Sequence, residues 1–300
     1  MTPADPTSLR GKVLAPPTPT RIGPRLFEWG SRTYVMGIVN VTPDSFSGDG
    51  ILASVAGHAG TAIEAAVIRA RTMVDEGAHI LDVGGESTRP GHDPVAGDEE
   101  TARIVPVIAA IHAALPEVPI SVDTSKPAVA DAALDAGAAL VNDIWGVSPD
   151  DSMARLAAAR GVPLVVMHNR AEPHYDDIVA ELLEDLRTAL DRAVAAGVPR
   201  GNLIVDPGFG FGKTPEHNLT VLRELARLRQ LGRPILLGTS RKSTLGRVLG
   251  GLPTEERLEG TLATTAVGVA FGVDMIRVHD VRANVRAALV ADAICRGWRP

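Results

Sequence analysis

Eight short runs rich in Val, Ile and Leu recur along this 300-residue chain at near-even spacing, and this rhythm restricts the fold more than any other feature. They occupy residues 34–40, 79–84, 119–124, 140–144, 163–168, 203–208, 234–240 and 275–280. Their starts lie about 34 residues apart, the length of one strand with its crossover helix. Helical stretches at 61–76, 98–115, 126–136, 175–196 and 281–296 fill intervals, and Gly or Pro stops the first four. In EGAHILDVG, DAGAALVND, ARGVPLVVMH and FGVDMIRVH a Gly separates helix end from strand, where it supplies the left-handed backbone that closes a helix. Eight such units predict an α/β fold, the (β/α)8 TIM barrel, whose usual size is about 250 residues. The alternative is an open doubly wound sheet, whose dinucleotide-binding form needs Gly-x-Gly-x-x-Gly after the first strand; VTPDSFSGDG stands there. We read residues 26–300 as one domain and residues 1–25, with six prolines, as a flexible leader.

Charge and composition exclude several roles. Lys and Arg total 30 against 36 Asp and Glu, a net charge of −6, which argues against nucleic acid or a membrane surface as partner. Three Trp, two Tyr and five Phe are too few for a stacking platform along a nucleic-acid strand. The leader lacks the apolar run of a signal peptide or anchor. Cys295 is the only cysteine, so the chain forms no internal disulfide and a reducing, cytoplasmic setting is expected.

A barrel of this kind places its chemistry at the C-terminal strand ends. Those ends carry Asn40, Asp123, Asn142, Asp143, His168, Asp206, Arg277 and His279, and the seventh run leads into GTSRKS with Ser240, Lys242 and Ser243. Strand side chains alternate in direction, so Arg277 and His279 share a face and suggest a bound anion, the other reading being an ion pair with a neighbouring Asp. Arg241, Lys242 and Arg89 add positive charge at the same rim. Two loops, 41–60 and 84–97, are long for their position and suit a ligand cover or plain surface excursions. GFGFGKT fails as a phosphate loop, because Pro207 occupies the place of its first Gly. His168 and His174 have no carboxylate or thiol at metal spacing, and no Gly-x-Ser-x-Gly elbow is present.

The segments VMGIVNVTPDSFSGDG, LDVGGESTRPG, SVDT, VNDIWG, DPGFGFGKT, GTSRKS and IRVHD, in this order, resemble the dihydropteroate synthase family over roughly residues 25–298. The resemblance implies a transferase of folate synthesis that joins 6-hydroxymethyl-7,8-dihydropterin diphosphate to 4-aminobenzoate with Mg²⁺, is inhibited by sulfonamides and forms a homodimer. It implies that Asp206, Asn142 and Asp123 meet the pterin ring while Lys242 donates to its oxygen. Thr88, Arg89, Arg277 and His279 would hold the diphosphate and Asn40 would ligate Mg²⁺. Ser243 would meet the benzoate carboxylate, with Phe46, Pro90 and Phe211 as apolar walls. Asp123, Lys242, Arg277 and His279 are the expected catalytic set. A carboxylate suits the guanidine-like donor edge of a pterin because charge-assisted paired hydrogen bonds outmatch neutral ones.

The family usually reads Ser-Asp-Gly-Gly where this chain has SFSGDG, which shifts Asp49, and NRAEPHYDD is also less typical. Two other functions compete: a pterin-binding methyltransfer module and a catalytically silent relative. The helix around 261–273 is small and apolar on several faces, which suits either shell packing or a subunit contact.

Overall fold

The computed structural model describes residues 15–41, 59–86, 95–146 and 150–298. In chain order the elements are β1 (Thr20–Ile22), β2 (Arg25–Phe27), β3 (Tyr34–Asn40), α1 (Ala59–Asp75), β4 (Ile80–Gly84), α2 (Gly97–Ala114), β5 (Ile120–Asp123), α3 (Pro127–Asp135) and β6 (Leu140–Asp143). They continue as α4 (Ser152–Arg160), β7 (Leu164–Met167), α5 (Ile178–Ala195), β8 (Leu203–Asp206), α6 (Pro215–Arg223), β9 (Leu236–Leu237), α7 (Ser243–Val248), α8 (Leu258–Ala270), β10 (Met275–Val278) and α9 (Val281–Arg296).

Strands β3 to β10 pair in parallel in the order β8-β7-β6-β5-β4-β3-β10-β9, and a bridge between Val205 and Ile235 brings the two ends together. The eight expected strands are therefore all present, as a nearly closed barrel. Alternation along each strand divides the interior from the shell. Val35, Leu81, Val83, Val122, Val141, Val166, Val205, Ile276 and Val278 pack outward in one cluster with the helices. Their neighbours Met36, Ile80, Leu140, Val165, Ile204, Leu236 and Met275 point inward and fill the N-terminal half of the lumen.

Residues 20–25, which composition assigned to a leader, are built into the barrel's lower end. β1 and β2 form an antiparallel hairpin whose Ile22 and Phe27, with Trp29 and Tyr34, join the inward apolar cluster. Trp29 Nε1 donates to Thr20 Oγ1 at 2.9 Å, and Thr20 Oγ1 donates to Gly201 O at 2.8 Å. Each large buried side chain contributes roughly 1.5–3 kcal/mol, which offsets the cost of ordering so short a segment. Prolines 16, 17, 19 and 24 hide this hairpin from a compositional reading, although Ile22 and Phe27 carry its inward face.

Helix α5 starts at Ile178 rather than 175 because the Asp177 carboxylate caps it, accepting from Val179 N and Ala180 N. Its stripe of Leu182, Leu186 and Leu190 faces the core and fixes the outward azimuth of Glu181 and Asp185. Among the described residues, no helix is long and apolar enough to cross a membrane.

Candidate active site

The upper half of the lumen exchanges its apolar filling for charge at the very next inward positions. Two residues beyond Ile80, Leu140, Ile204 and Met275 come Asp82, Asn142, Asp206 and Arg277. Asp82, Asp123, Asn142 and Asp206 are all buried. Arg277 Nε donates to Asp82 Oδ2 and Arg277 Nη2 to Asp123 Oδ2, both at 2.5 Å, and Asn142 Nδ2 donates to Asp82 Oδ2 at 3.1 Å. The ion-pair reading of Arg277 is thus the one this structure adopts. Burial opposes its charge, but Asp82 and Asp123 together hold its pKa above the ordinary arginine value.

The carboxylates keep unused capacity. Asp82 Oδ1 and Asp123 Oδ1 are buried with no hydrogen-bond partner among the described residues. Asp206 Oδ1 accepts from Gly208 N at 2.7 Å, which leaves Oδ2 for a ligand. Burial raises Asp123 to about 7, against the pull of Arg277, and raises Asp206 to about 6, against the Gly208 hydrogen bond and Lys242. Such groups become better placed when a ligand brings donors to them.

A second tier sits at the rim. Register aligns Asn40 with Gly84, Gly84 with Asp123, and Asp123 with Asn142 along the strand ends. A Cβ at Gly84 would stand 3.4 Å from Asp123 Cβ and 3.6 Å from its Oδ2, so glycine leaves a gap between Asn40 and Asp123. His279 N donates to Ser240 Oγ at 3.1 Å, and Ser240 Oγ lies 2.9 Å from His279 Nδ1. With the hydroxyl accepting from the backbone, its own proton is free to go to Nδ1, an arrangement that makes Nε2 the N–H donor. Lys242 Nζ lies 3.9 Å from the centre of the Phe211 ring, and Ser243 begins α7 exposed at the rim.

The loop between β8 and α6 supports this tier from behind. Lys213 Nζ donates to His168 Nδ1 at 2.8 Å, to Phe211 O at 3.0 Å and to Gly208 O at 3.1 Å, and approaches His168 O at 3.3 Å. His168 Nε2 meets Asp185 Oδ2 at 3.0 Å, where Arg170 also donates. Burial, then Lys213, lower His168 to about 4, so its ring is neutral, with Nε2 protonated and Nδ1 accepting. Burial pulls Lys213 down to about 7, while Asp206 acts in the opposite direction.

This pattern of polar strand ends matches known proteins. A model of the pterin binding enzyme family fits residues 36–279. The dihydropteroate synthase of Clostridium beijerinckii is 49% identical over 277 residues, covering 92% of this chain and 99% of that one. The chain belongs to the dihydropteroate synthase family. Among solved members, the enzyme of Clostridium difficile, crystallised in the presence of pteroic acid, superposes with a TM-score of 0.84 at 46% identity, covering 90% of this chain and 99% of that one. The Xanthomonas albilineans dihydropteroate synthase with 4-aminobenzoic acid gives 0.83 at 40% identity, covering 92% and 98%.

Of the residues expected from family resemblance, Asp123, Asn142, Asp206, Lys242, Arg277, His279, Phe211, Ser243 and Asn40 lie at or around this one mouth. Thr88, Arg89, Pro90, Phe46 and Asp49 fall outside the described residues. Arg241, counted among the rim cations, is paired there: at φ 57° its guanidinium grips Asp280, the residue after His279, through Nε at 3.0 Å and Nη2 at 2.7 Å. Two members of the site escaped the sequence reading. Asp82 lies inside an apolar run rather than at its end, but its spacing from Ile80 marks it as inward. Lys213 stood only inside DPGFGFGKT and the rejected phosphate loop, with no role of its own, whereas Ser240 was among the strand-end residues the sequence offered.

Proposed function

We propose that this chain, as a dihydropteroate synthase, acts as a transferase that condenses 6-hydroxymethyl-7,8-dihydropterin diphosphate with 4-aminobenzoate, forming 7,8-dihydropteroate and diphosphate. The observation that carries the proposal is the convergence of Asp123, Asn142 and Asp206 with Arg277 and Lys242 at one barrel mouth. Asp206 Oδ2 and Asn142 take the donor edge of the pterin, and Lys242 donates to its oxygen. Arg277, held flat by two carboxylates, stacks on the ring. His279 Nε2–H and Arg277 face the diphosphate, and the family resemblance assigns Thr88 and Arg89 to the same anion.

As the bond from the methylene carbon to the diphosphate oxygen breaks, its electron pair leaves with diphosphate and positive charge spreads into the pterin. The buried Asp123 carboxylate stabilises that charge, and the rim donors stabilise the departing anion. The aryl amine, a free base near neutral pH, then forms the new carbon–nitrogen bond and loses its proton to solvent. No strong base is required. Ser243 receives the benzoate carboxylate, with Phe211 against the ring, and the same surface is where a sulfonamide competes; Phe46 and Pro90 are further apolar contacts that the family resemblance implies.

Mg²⁺ belongs to this reading. Among the described residues no three His, Cys, Asp or Glu side chains gather as a metal cage. The half-buried Asn40, beside the gap at Gly84, offers one neutral oxygen, a donor suited to a hard ion that takes most of its ligands from phosphate and water. When bound, Mg²⁺ neutralises charge on the diphosphate. The homodimer and the cytoplasmic setting are part of the same proposal. The exposed Val290 and Ile294 of α9 line, with Leu262 and Ala266 of α8, an apolar groove of about 670 Å³, a surface fit for a second copy, and lone Cys295 suits a reducing compartment.

Incubation with dihydropterin diphosphate, 4-aminobenzoate and Mg²⁺ tests the reaction. 7,8-Dihydropteroate and diphosphate should appear together and only in the complete mixture. Binding without product would favour a silent relative, and methyl transfer to a corrinoid protein would favour the methyltransfer module.

A further inference from the structure

The GFGFGKT segment has the glycine density of a phosphate loop and the reverse polarity. A phosphate loop turns backbone N–H groups toward an anion. Here two backbone carbonyls, from Gly208 and Phe211, turn toward the ammonium of the loop's own Lys213, with His168 O and His168 Nδ1 completing its surroundings. Gly208 and Gly212 make the curl possible. Both have positive φ, 66° and 52°, and a Cβ would stand 1.8 Å from His168 O at the first and 2.2 Å from Arg170 O at the second. Tyr175 Oη donates to Gly212 O at 2.7 Å, and Thr214 caps α6 by accepting from His217 N, so the loop is tied at its far end too.

What this loop carries connects it to the reaction. Phe211, whose carbonyl Lys213 holds, places its ring 3.9 Å from Lys242 Nζ. A Cβ at Gly210 would stand 3.0 Å from Lys242 Cδ, so the loop lies directly along the Lys242 stem. The chain of contacts runs from Arg170 and Asp185 through His168 to Lys213, then through Phe211 to Lys242.

We propose that Lys213 is a positioning residue, which holds the 207–214 loop so that the Phe211 ring forms the aminobenzoate wall and covers Lys242. Lys213 touches neither substrate. This inference rests on the reading of the site as a dihydropteroate synthase and adds to it a residue that acts on one substrate more than on the other. The pterin keeps Asp206, Asn142 and Asp123, which come from strands, and loses only the support that the loop gives Lys242 and, through Gly208 N, Asp206 Oδ1, whereas the aminobenzoate loses its wall when the loop relaxes.

The test is Lys213→Met, which preserves the stem and removes the ammonium. 4-Aminobenzoate is titrated calorimetrically into protein saturated with dihydropterin and pyrophosphate, and dihydropterin alone is titrated separately. We expect the aminobenzoate affinity to fall on the order of tenfold, with dihydropterin affinity changing less than about threefold, and KM values to split the same way. Lys213→Cys in a Cys295→Ser background, aminoethylated to regenerate an amine of nearly the same length, should recover most of the loss. Should Lys213→Met fail to fold, His168→Gln keeps the carbonyl and removes the ring acceptor, and it should give the same split at smaller amplitude. Equal losses for both ligands, no loss in a folded variant, or failure of the aminoethylated protein to recover would overturn the proposal. Wild-type protein that binds both ligands without making product would refute the catalytic reading alone.

Discussion

Arg277 and Asp82 belong to strands separated by β3, yet their side chains meet inside the barrel, with Arg277 Nε donating to Asp82 Oδ2. Asp82 therefore spans the lumen to both sides, reaching Arg277 in one direction and Asn142 in the other. It braces two ligand-facing residues and leaves its own Oδ1 spare.

Removing that brace should cost stability as well as activity. Asp82→Ala leaves Arg277 with Asp123 as its remaining carboxylate partner, and breaking a buried ion pair from one side costs about 3–5 kcal/mol. Since Asp123 retains part of the compensation, we expect the lower end of that range in denaturant unfolding, and at least tenfold weaker pterin binding. Unchanged stability would show that the pair contributes nothing to the fold.

Asp206 should behave in the opposite sense. Burial lifts its pKa from 3.8 to about 6, so the folded state binds this proton more tightly than the unfolded chain. The group therefore costs stability above pH 6, on the order of 3 kcal/mol, and the cost fades as pH falls from about 6 toward 4. Asp206→Asn keeps an acceptor for Gly208 N and removes the charge. The variant should melt at or above the wild-type temperature at pH 7.5, with the difference reduced to about a third near pH 4.5, while dihydropterin affinity falls roughly a hundredfold. A lower melting temperature at pH 7.5 would contradict this assignment. In the wild type, dihydropterin affinity should rise with pH through about 6 and then level off.

Ser240→Ala removes the group that sets the His279 tautomer. The imidazole can then present either nitrogen, and the donor toward diphosphate is lost part of the time. We expect KM for dihydropterin diphosphate to rise about tenfold, with little change in affinity for dihydropterin lacking the diphosphate. Equal weakening of both ligands would place His279 away from the diphosphate.

Asn40→Ala should raise the Mg²⁺ concentration needed for half-maximal turnover by roughly tenfold, with folding intact, since only one protein oxygen is lost. Excess chelator should stop turnover in the wild type and leave dihydropterin binding unchanged. An unaltered metal requirement would move the metal away from the β3 end.

The barrel was legible because strands such as 203–206 open on short apolar runs and glycines such as Gly137 and Gly197 stop the helices between them. Polar side chains ending those runs announced Asp123, Asn142 and Asp206. Asp82 was harder, since one carboxylate within HILDVG reads as an interruption until inward parity is assigned. The β1–β2 hairpin was hidden because proline density and strand brevity outweigh two inward apolar residues. Lys213 was hidden for a different reason: spacing shows which atoms a glycine loop brings close, and not whether N–H or C=O groups point at them.

The apolar plug of Ile22, Phe27, Trp29 and Tyr34 makes the lumen a blind cup. A cup with one opening imposes a queue. On the proposed reading, the heterocycle that reaches the floor enters before anything seated at the brim, and the joined product backs out the way its first half came in. Order of addition is in this sense written at the end of the molecule farthest from the chemistry.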